Sequence, residues 1–130
     1  MKNRILAWIL SFLVSVTSTC ALEWKKTELF LVADPGVEFV RTKFEFTNTA
    51  KRSVRLLGVT TSCGCTEAWP SASDFRAGES GVLHVLFTVG KRSGLQEKEI
   101  VVTTDESQEP TRLVLKIKLP DAPAAAAEAH

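Results

Sequence analysis

Residues 40–47 read VRTKFEFT. Val40, Thr42, Phe44 and Phe46 alternate with Arg41, Lys43, Glu45 and Thr47, the period of two of a strand with one face in a core and the other in water. Residues 112–119, RLVLKIKL, repeat the pattern, with the leucines and Ile117 inward and mostly charges outward. The stretches 22–32, 53–60, 82–89 and 97–104 are rich in Val, Leu, Ile, Phe and Thr and fill further strand slots. Turn signals separate them: Asp34-Pro35-Gly36, Asn48 to Lys51, Ala77 to Gly81, Gly90 to Gly94, and Asp105 to Pro110. Proline fixes φ, glycine frees it, and Asn or Asp satisfies local amides, so each cluster ends a strand for a physical reason. No run of ten or more residues after position 21 shows helical periodicity. Six or seven short strands in roughly 100 residues predict an all-β fold, a two-sheet antiparallel sandwich over residues 22–119, with a small barrel as the alternative.

The ends read differently. Residues 1–21, MKNRILAWILSFLVSVTSTCA, have the form of an export signal. Lys2 and Arg4 make a positive start, Ile5 to Val16 an apolar stretch, and Thr19-Cys20-Ala21 small residues for cleavage after Ala21. The apolar run is shorter than the roughly 20 residues of a spanning helix, and Ser11 and Ser15 interrupt it. Export to the periplasm or beyond the cell is therefore expected, with no transmembrane span after cleavage. Cys20 offers a second reading, a lipid-anchored N-terminus, although Thr17 and Thr19 fit a lipidation signal poorly. Residues 120–130 form an Ala- and Pro-biased tail with nothing to bury and are expected to be disordered. Sixteen Lys and Arg nearly balance fifteen Asp and Glu. No basic stripe with interleaved aromatics appears, which argues against a nucleic-acid partner.

Once a signal is removed, Cys63 and Cys65 are the two remaining cysteines, in a compartment where disulfides persist. Residues i and i+2 of an extended strand lie about 7 Å apart at Cα, at or beyond the long end of disulfide geometry. Closure thus requires a bend, and Gly64 is the residue that bends most cheaply. Chain entropy assigns such a small ring only roughly 1.6 kcal/mol, so it is a weak staple. An exposed, strained ring of this kind is easily reduced, which leaves a redox role open.

As metal ligands, two sulfurs suit Cu(I), with His84 as a third ligand or a second molecule completing the site. Zinc needs three or four protein ligands and is under-supplied. His84 alternates with Leu83, Val85 and Phe87, and a lone histidine on a strand is first a surface or hydrogen-bonded residue. A reactive thiolate needs a nearby cation or helix terminus; no helix is expected after the pair, and Arg55 or Arg76 would have to fold close to supply the cation. Nucleophile elbows, metalloprotease helices and phosphate loops are absent from the sequence, so no catalytic residues are assigned. Trp69 reads as a core or sheet-edge aromatic, or as an anchor for a partner.

The strands and motifs together resemble a bacterial exported family catalogued as domain of unknown function 1573, related to immunoglobulin-like modules of cilia-associated and major-sperm-protein-like folds. The resemblance rests on Phe44-Glu45-Phe46-Thr47-Asn48-Thr49-Ala50, Val59-Thr60-Thr61-Ser62-Cys63-Gly64-Cys65-Thr66, Ala77-Gly78-Glu79, Val85-Leu86-Phe87 and Lys98 to Asp105. Ser-Cys-Gly-Cys-Thr is its most specific element. Ala77 stands where the family often has proline, and Thr104 where it often has asparagine. The resemblance implies an immunoglobulin-like sandwich and no established activity. The expected function is a non-enzymatic envelope module that binds another protein, with no small-molecule substrate evident. The alternative is a Cu(I)-binding or thiol-redox module at Cys63 and Cys65.

Overall fold

The computed structural model describes residues 21–121. Residues 1–20 of the expected signal segment (1–21) and residues 122–130 of the expected tail (120–130) lie outside the described residues. Nine strands form two packed sheets: β1 Leu22–Trp24, β2 Glu28–Val32, β3 Phe39–Asn48, β4 Val54–Thr61, β5 Thr66–Pro70, β6 Asp74–Phe75, β7 Ser80–Thr88, β8 Gly94–Thr104 and β9 Thr111–Leu119. One sheet has the order β1-β3-β7-β5 and the other β2-β9-β8-β4-β6. The sandwich is as expected, but its strands number nine among the described residues rather than about seven.

Two differences explain the count. The stretch 22–32, read as one slot, is two strands in different sheets. Leu22 and Trp24 pair with β3, the chain crosses at Lys25 to Thr27, and β2 then pairs with β9. That second pairing is parallel, because β2 follows a crossover and not a hairpin, so the sandwich is not wholly antiparallel. The other addition is β5 with its two-residue neighbour β6, whose shortness left no readable alternation.

The alternating residues do form the core. Phe44 and Phe46 on β3, Leu83, Val85 and Phe87 on β7, Ile100 and Val102 on β8, and Leu113, Leu115, Ile117 and Leu119 on β9 are all buried. They fill the space between the sheets, and their charged neighbours face water. Ala21 is buried too, and its carbonyl accepts bonds from the Thr49 N–H at 2.7 Å and the Thr49 hydroxyl at 3.0 Å. The folded part of the chain therefore includes Ala21.

A buried polar side chain closes one end of this core. Asn48, 0 % exposed, ends β3. Its Nδ2 donates to the carbonyls of Arg52 (2.9 Å), Phe75 (2.9 Å) and Arg76 (3.0 Å), and its Oδ1 accepts from the Ala50 N–H (3.0 Å). Its own N–H donates to Glu79 O, and its carbonyl accepts from Gly78 N–H. Close by, Phe46 packs edge-on against Phe75 and tilted against Trp24, with ring centroids 4.8 and 4.7 Å apart. Gly81 lies under these rings, where an added Cβ would come within 2.3 Å of Phe75 and 2.5 Å of Phe46.

Two substitutions test this packing. Asn48→Ala strands buried carbonyls and is expected to cost about 2–4 kcal/mol. Gly81→Ala forces the rings apart at about 1–3 kcal/mol. Urea unfolding midpoints measure both, and a wild-type midpoint for either variant contradicts the corresponding contact.

Candidate functional site

The Cys-Gly-Cys segment is where the chain changes sheets. β4 belongs to the five-stranded sheet and ends at Thr61, whereas β5 belongs to the four-stranded sheet and begins at Thr66. Four residues make the passage, and local bonds hold Ser62, Cys63 and Cys65. Ser62 N–H donates to Glu99 O at 2.9 Å, and Ser62 Oγ accepts from Glu99 N–H at 3.0 Å, which prolongs the β4–β8 pairing by one residue. Thr66 N–H donates to Cys63 O at 3.1 Å, closing a tight turn. The Thr61 hydroxyl bridges the turn, 3.1 Å from Cys63 O and 2.9 Å from Thr66 O. Thr88 N–H donates to Cys65 O at 2.8 Å, attaching the far side of the turn to β7.

Within this corner Cys63 and Cys65 form a disulfide, their Cα atoms 5.2 Å apart. That lies well inside the usual range of roughly 4.4–6.8 Å, so the chain does bend as the sequence requires. The bend does not use the special freedom of glycine. Gly64 is absent from the left-handed φ region, and a Cβ placed on it would meet nothing within 4 Å. The two sulfurs are not equivalent, since Cys65 is buried and lies 3.6 Å from the Thr66 hydroxyl, whereas Cys63 is half-buried.

The other residues expected at this site lie elsewhere. His84 is opposite Trp69 across the β5–β7 pair, with the rings stacked at 5.7 Å and 27°. Thr88, the partner of Cys65, is four residues further along β7, about 13 Å away at 3.3–3.4 Å per residue. His84 therefore does not join the cysteines around one ion. Among the described residues no group of three or more His, Cys, Asp or Glu side chains converges on a metal position. Arg55 lies at the opposite end of β4, about 20 Å from Thr61 by the same rise, and binds Asp74 at 2.8 Å. Arg76 is held near Asn48 at that same far end. Neither cation reaches the sulfurs.

The groups whose pKa moves belong to surface ion pairs away from the corner. Asp74 is lowered, chiefly by its hydrogen bond from Arg55, and Glu45 chiefly by its bond from Lys25. Arg55 and Lys116 are raised, chiefly by their bonds to Asp74 and Glu28. The two lowered carboxylates add stability above their unfolded pKa values and lose it as pH falls through the folded ones, a small effect at exposed sites.

Two surface features accompany the corner. Trp69, 46 % exposed, lies on the outer face of the four-stranded sheet with His84. An open cleft of about 670 Å³ lies at the cysteine end of the sandwich, its walls including Val37, Phe39, Val89, Arg92 and Leu119. Thr88 lines the cleft and also binds Cys65, so the disulfide corner and the cleft adjoin. The cleft was not legible in the sequence, because its walls come from three loops far apart along the chain.

The two-sheet sandwich is similar in fold to immunoglobulin-like and PapD-like domains. The chain belongs to the family described as "Protein of unknown function (DUF1573)", which matches residues 22–119. It is similar to a protein of unknown function from Porphyromonas gingivalis W83, at 21 % identity and a TM-score of 0.67, over 76 % of this chain and 46 % of that one. This chain thus spans less than half the length of that relative. The fold is also similar to a PapD-like domain of human CEP192 (11 % identity, TM-score 0.58, 78 % of this chain and 87 % of that one). A third likeness is to the Pseudomonas aeruginosa CupB2 chaperone (12 % identity, TM-score 0.58, 82 % and 60 %). At such identities the likeness concerns the fold alone. The sequence has no match among curated proteins.

Because Gly64 needs no special backbone freedom, Gly64→Ala is expected to fold normally and to gain about 0.4–1 kcal/mol through the unfolded chain. Cys63→Ser is expected to lose roughly 1.6 kcal/mol or less, the entropy of a three-residue ring. Urea titration of both variants checks the pair, and a Gly64→Ala variant that fails to fold contradicts the turn geometry.

Proposed function

We propose that this chain is an exported, non-enzymatic module of the cell envelope that acts by binding another protein. The observation that carries the reading is the Trp69–His84 stack on the open face of the four-stranded sheet. A tryptophan excluded from the core and held rigid by a cross-strand ring is the kind of side chain that anchors protein interfaces. Lys43 stands opposite His84 on β3, so the aromatic pair has a charged border on that side. The disulfide corner serves this reading as a brace, fixing the start of β5 and hence the placement of Trp69 four residues on.

The test is crosslinking in the cell. With a photoreactive amino acid replacing Trp69, irradiation is expected to yield an adduct of one defined mass in the envelope fraction, whereas the same group at Lys51 yields none. Absence of any adduct at position 69 removes the reading.

The unequal burial of the two sulfurs favours a second reading, thiol–disulfide exchange. An incoming thiolate meets Cys63 first and forms a mixed disulfide there, releasing Cys65 as a thiolate beside the Thr66 hydroxyl. A second thiol of the same reductant then attacks the mixed disulfide and frees Cys63. The reduced pair would also present two sulfurs to one Cu(I), without His84. Partial reduction followed by alkylation is expected to trap label on Cys65 while Cys63 holds the reductant. Failure of the pair to equilibrate with a glutathione couple, together with no retained copper, sinks this reading.

A further inference from the structure

A β-sandwich whose sheets do not close has four edge strands, and three of them here are blunted. β1 is three residues long and runs directly into Lys25 and Lys26. β6 has only two residues. β5 ends in Pro70, which has no N–H to offer, and its Thr66 carbonyl already accepts the Thr61 hydroxyl. The fourth edge, β2, has none of these protections. Its five residues, Glu-Leu-Phe-Leu-Val, include no proline and no lysine, and the exposed edge carries Phe30 at 58 % and Val32 at 69 % exposure.

The pairing of β2 with β9 defines which backbone groups remain free. Val114 N–H donates to Thr27 O, and Ala33 N–H donates to Lys118 O. In a parallel ladder, bonding to the neighbour alternates along the strand, so the odd-numbered residues from Thr27 to Ala33 face β9. Glu28, Phe30 and Val32 therefore turn their N–H and C=O groups away from the sheet, and nothing among the described residues covers them. The same three residues project their side chains from the outer face, while Leu29 and Leu31 lean against the core.

We propose that β2 pairs antiparallel with β2 of a second copy of this chain, about a twofold axis at Phe30. Facing pairs in that register are Phe30 with the second Phe30 and Glu28 with the second Val32. Each uses residues whose backbone groups point outward, and each exchanges both of its N–H···O bonds. Registers that set an even-numbered residue against an odd one are unavailable, because the odd residues already bond β9. Of the other allowed registers, an axis at Leu31 brings Glu28 against Asp34, two like charges. An axis at Leu29 sets Glu28 against Phe30 and Lys26 against Val32, so neither charge meets an opposite one.

The axis at Phe30 has charge complementarity on its side. It sets Lys26 of each copy opposite Asp34 of the other, and both are exposed residues with no salt bridge among the described residues. It also sets ring against ring at the centre of the outer face and Leu29 against Leu31 on the inner one. The result is one continuous sheet running through both copies, with their β2 edges no longer open. The open face bearing Trp69 is on the other sheet, so this pairing is independent of the partner proposed above.

Sedimentation equilibrium tests the pairing, on protein expressed from the full chain and purified after folding. The wild type is expected to approach twice the monomer mass as concentration rises. Phe30→Lys is expected to weaken association by about tenfold or more, with an unchanged unfolding midpoint. Lys26→Asp and Asp34→Lys are each expected to weaken it several-fold, and the double variant to restore it. That restoration requires residue 26 of one copy to face residue 34 of the other, and it does not depend on Phe30→Lys folding. A chain that stays monomeric to about 1 mM overturns the proposal. So does a dimer indifferent to the charge reversals, or a double variant that fails to recover.

Discussion

The structure depends most on the buried amide of Asn48. A sandwich must end its strands without leaving polar backbone in the core, and the chain has three such ends at one place. The close of β3, the turn through Ala50 to Arg52, and the exit from β6 through Phe75 and Arg76 all meet there. Asparagine suits the position because one side chain carries both donors and an acceptor. Aspartate would bring a charge against carbonyl oxygens, and leucine would satisfy none of them. With those ends tied, Phe46 and Phe75 meet over Gly81, which leaves no room there for a Cβ.

The opposite end of the molecule solves a different problem. Between β4 and β5 the chain crosses from one sheet to the other in four residues. The Cys63–Cys65 ring, the Thr61 hydroxyl and the Cys63 carbonyl compact those residues into a single turn. A ring this small contributes little through chain entropy. Its structural effect is local, setting the direction in which β5 leaves the corner. In that direction β5 pairs with β7, which sets Trp69 beside His84 on the open face.

Much of this was readable along the chain. The alternation at Val40 to Thr47 and Arg112 to Leu119, with its turn signals, is enough for an all-β sandwich, since burial on one face imposes a period of two. The bend between Cys63 and Cys65 also followed, from the reach of an extended backbone. Asn48 was visible only as a turn residue, because nothing nearby in sequence reveals that carbonyls 27 and 28 residues away converge on it. His84 and the cysteines looked compatible as ligands for the same reason, since spacing along a chain does not report separation across a sheet.

What the sequence determined by itself is therefore periodic or covalently local: strand faces, turn positions, the shape demanded of a two-residue disulfide, and membership of a family marked by Ser62 to Thr66. What only the tertiary structure decided is pairing. The split of residues 22–32 between two sheets, the parallel run of β2 on β9, the stack of Trp69 on His84, and the open edge at Phe30 all depend on which strand lies beside which. The physical reason is that a strand's own residues specify which face is buried, but its neighbour is chosen by crossovers and by packing among residues far apart in the chain.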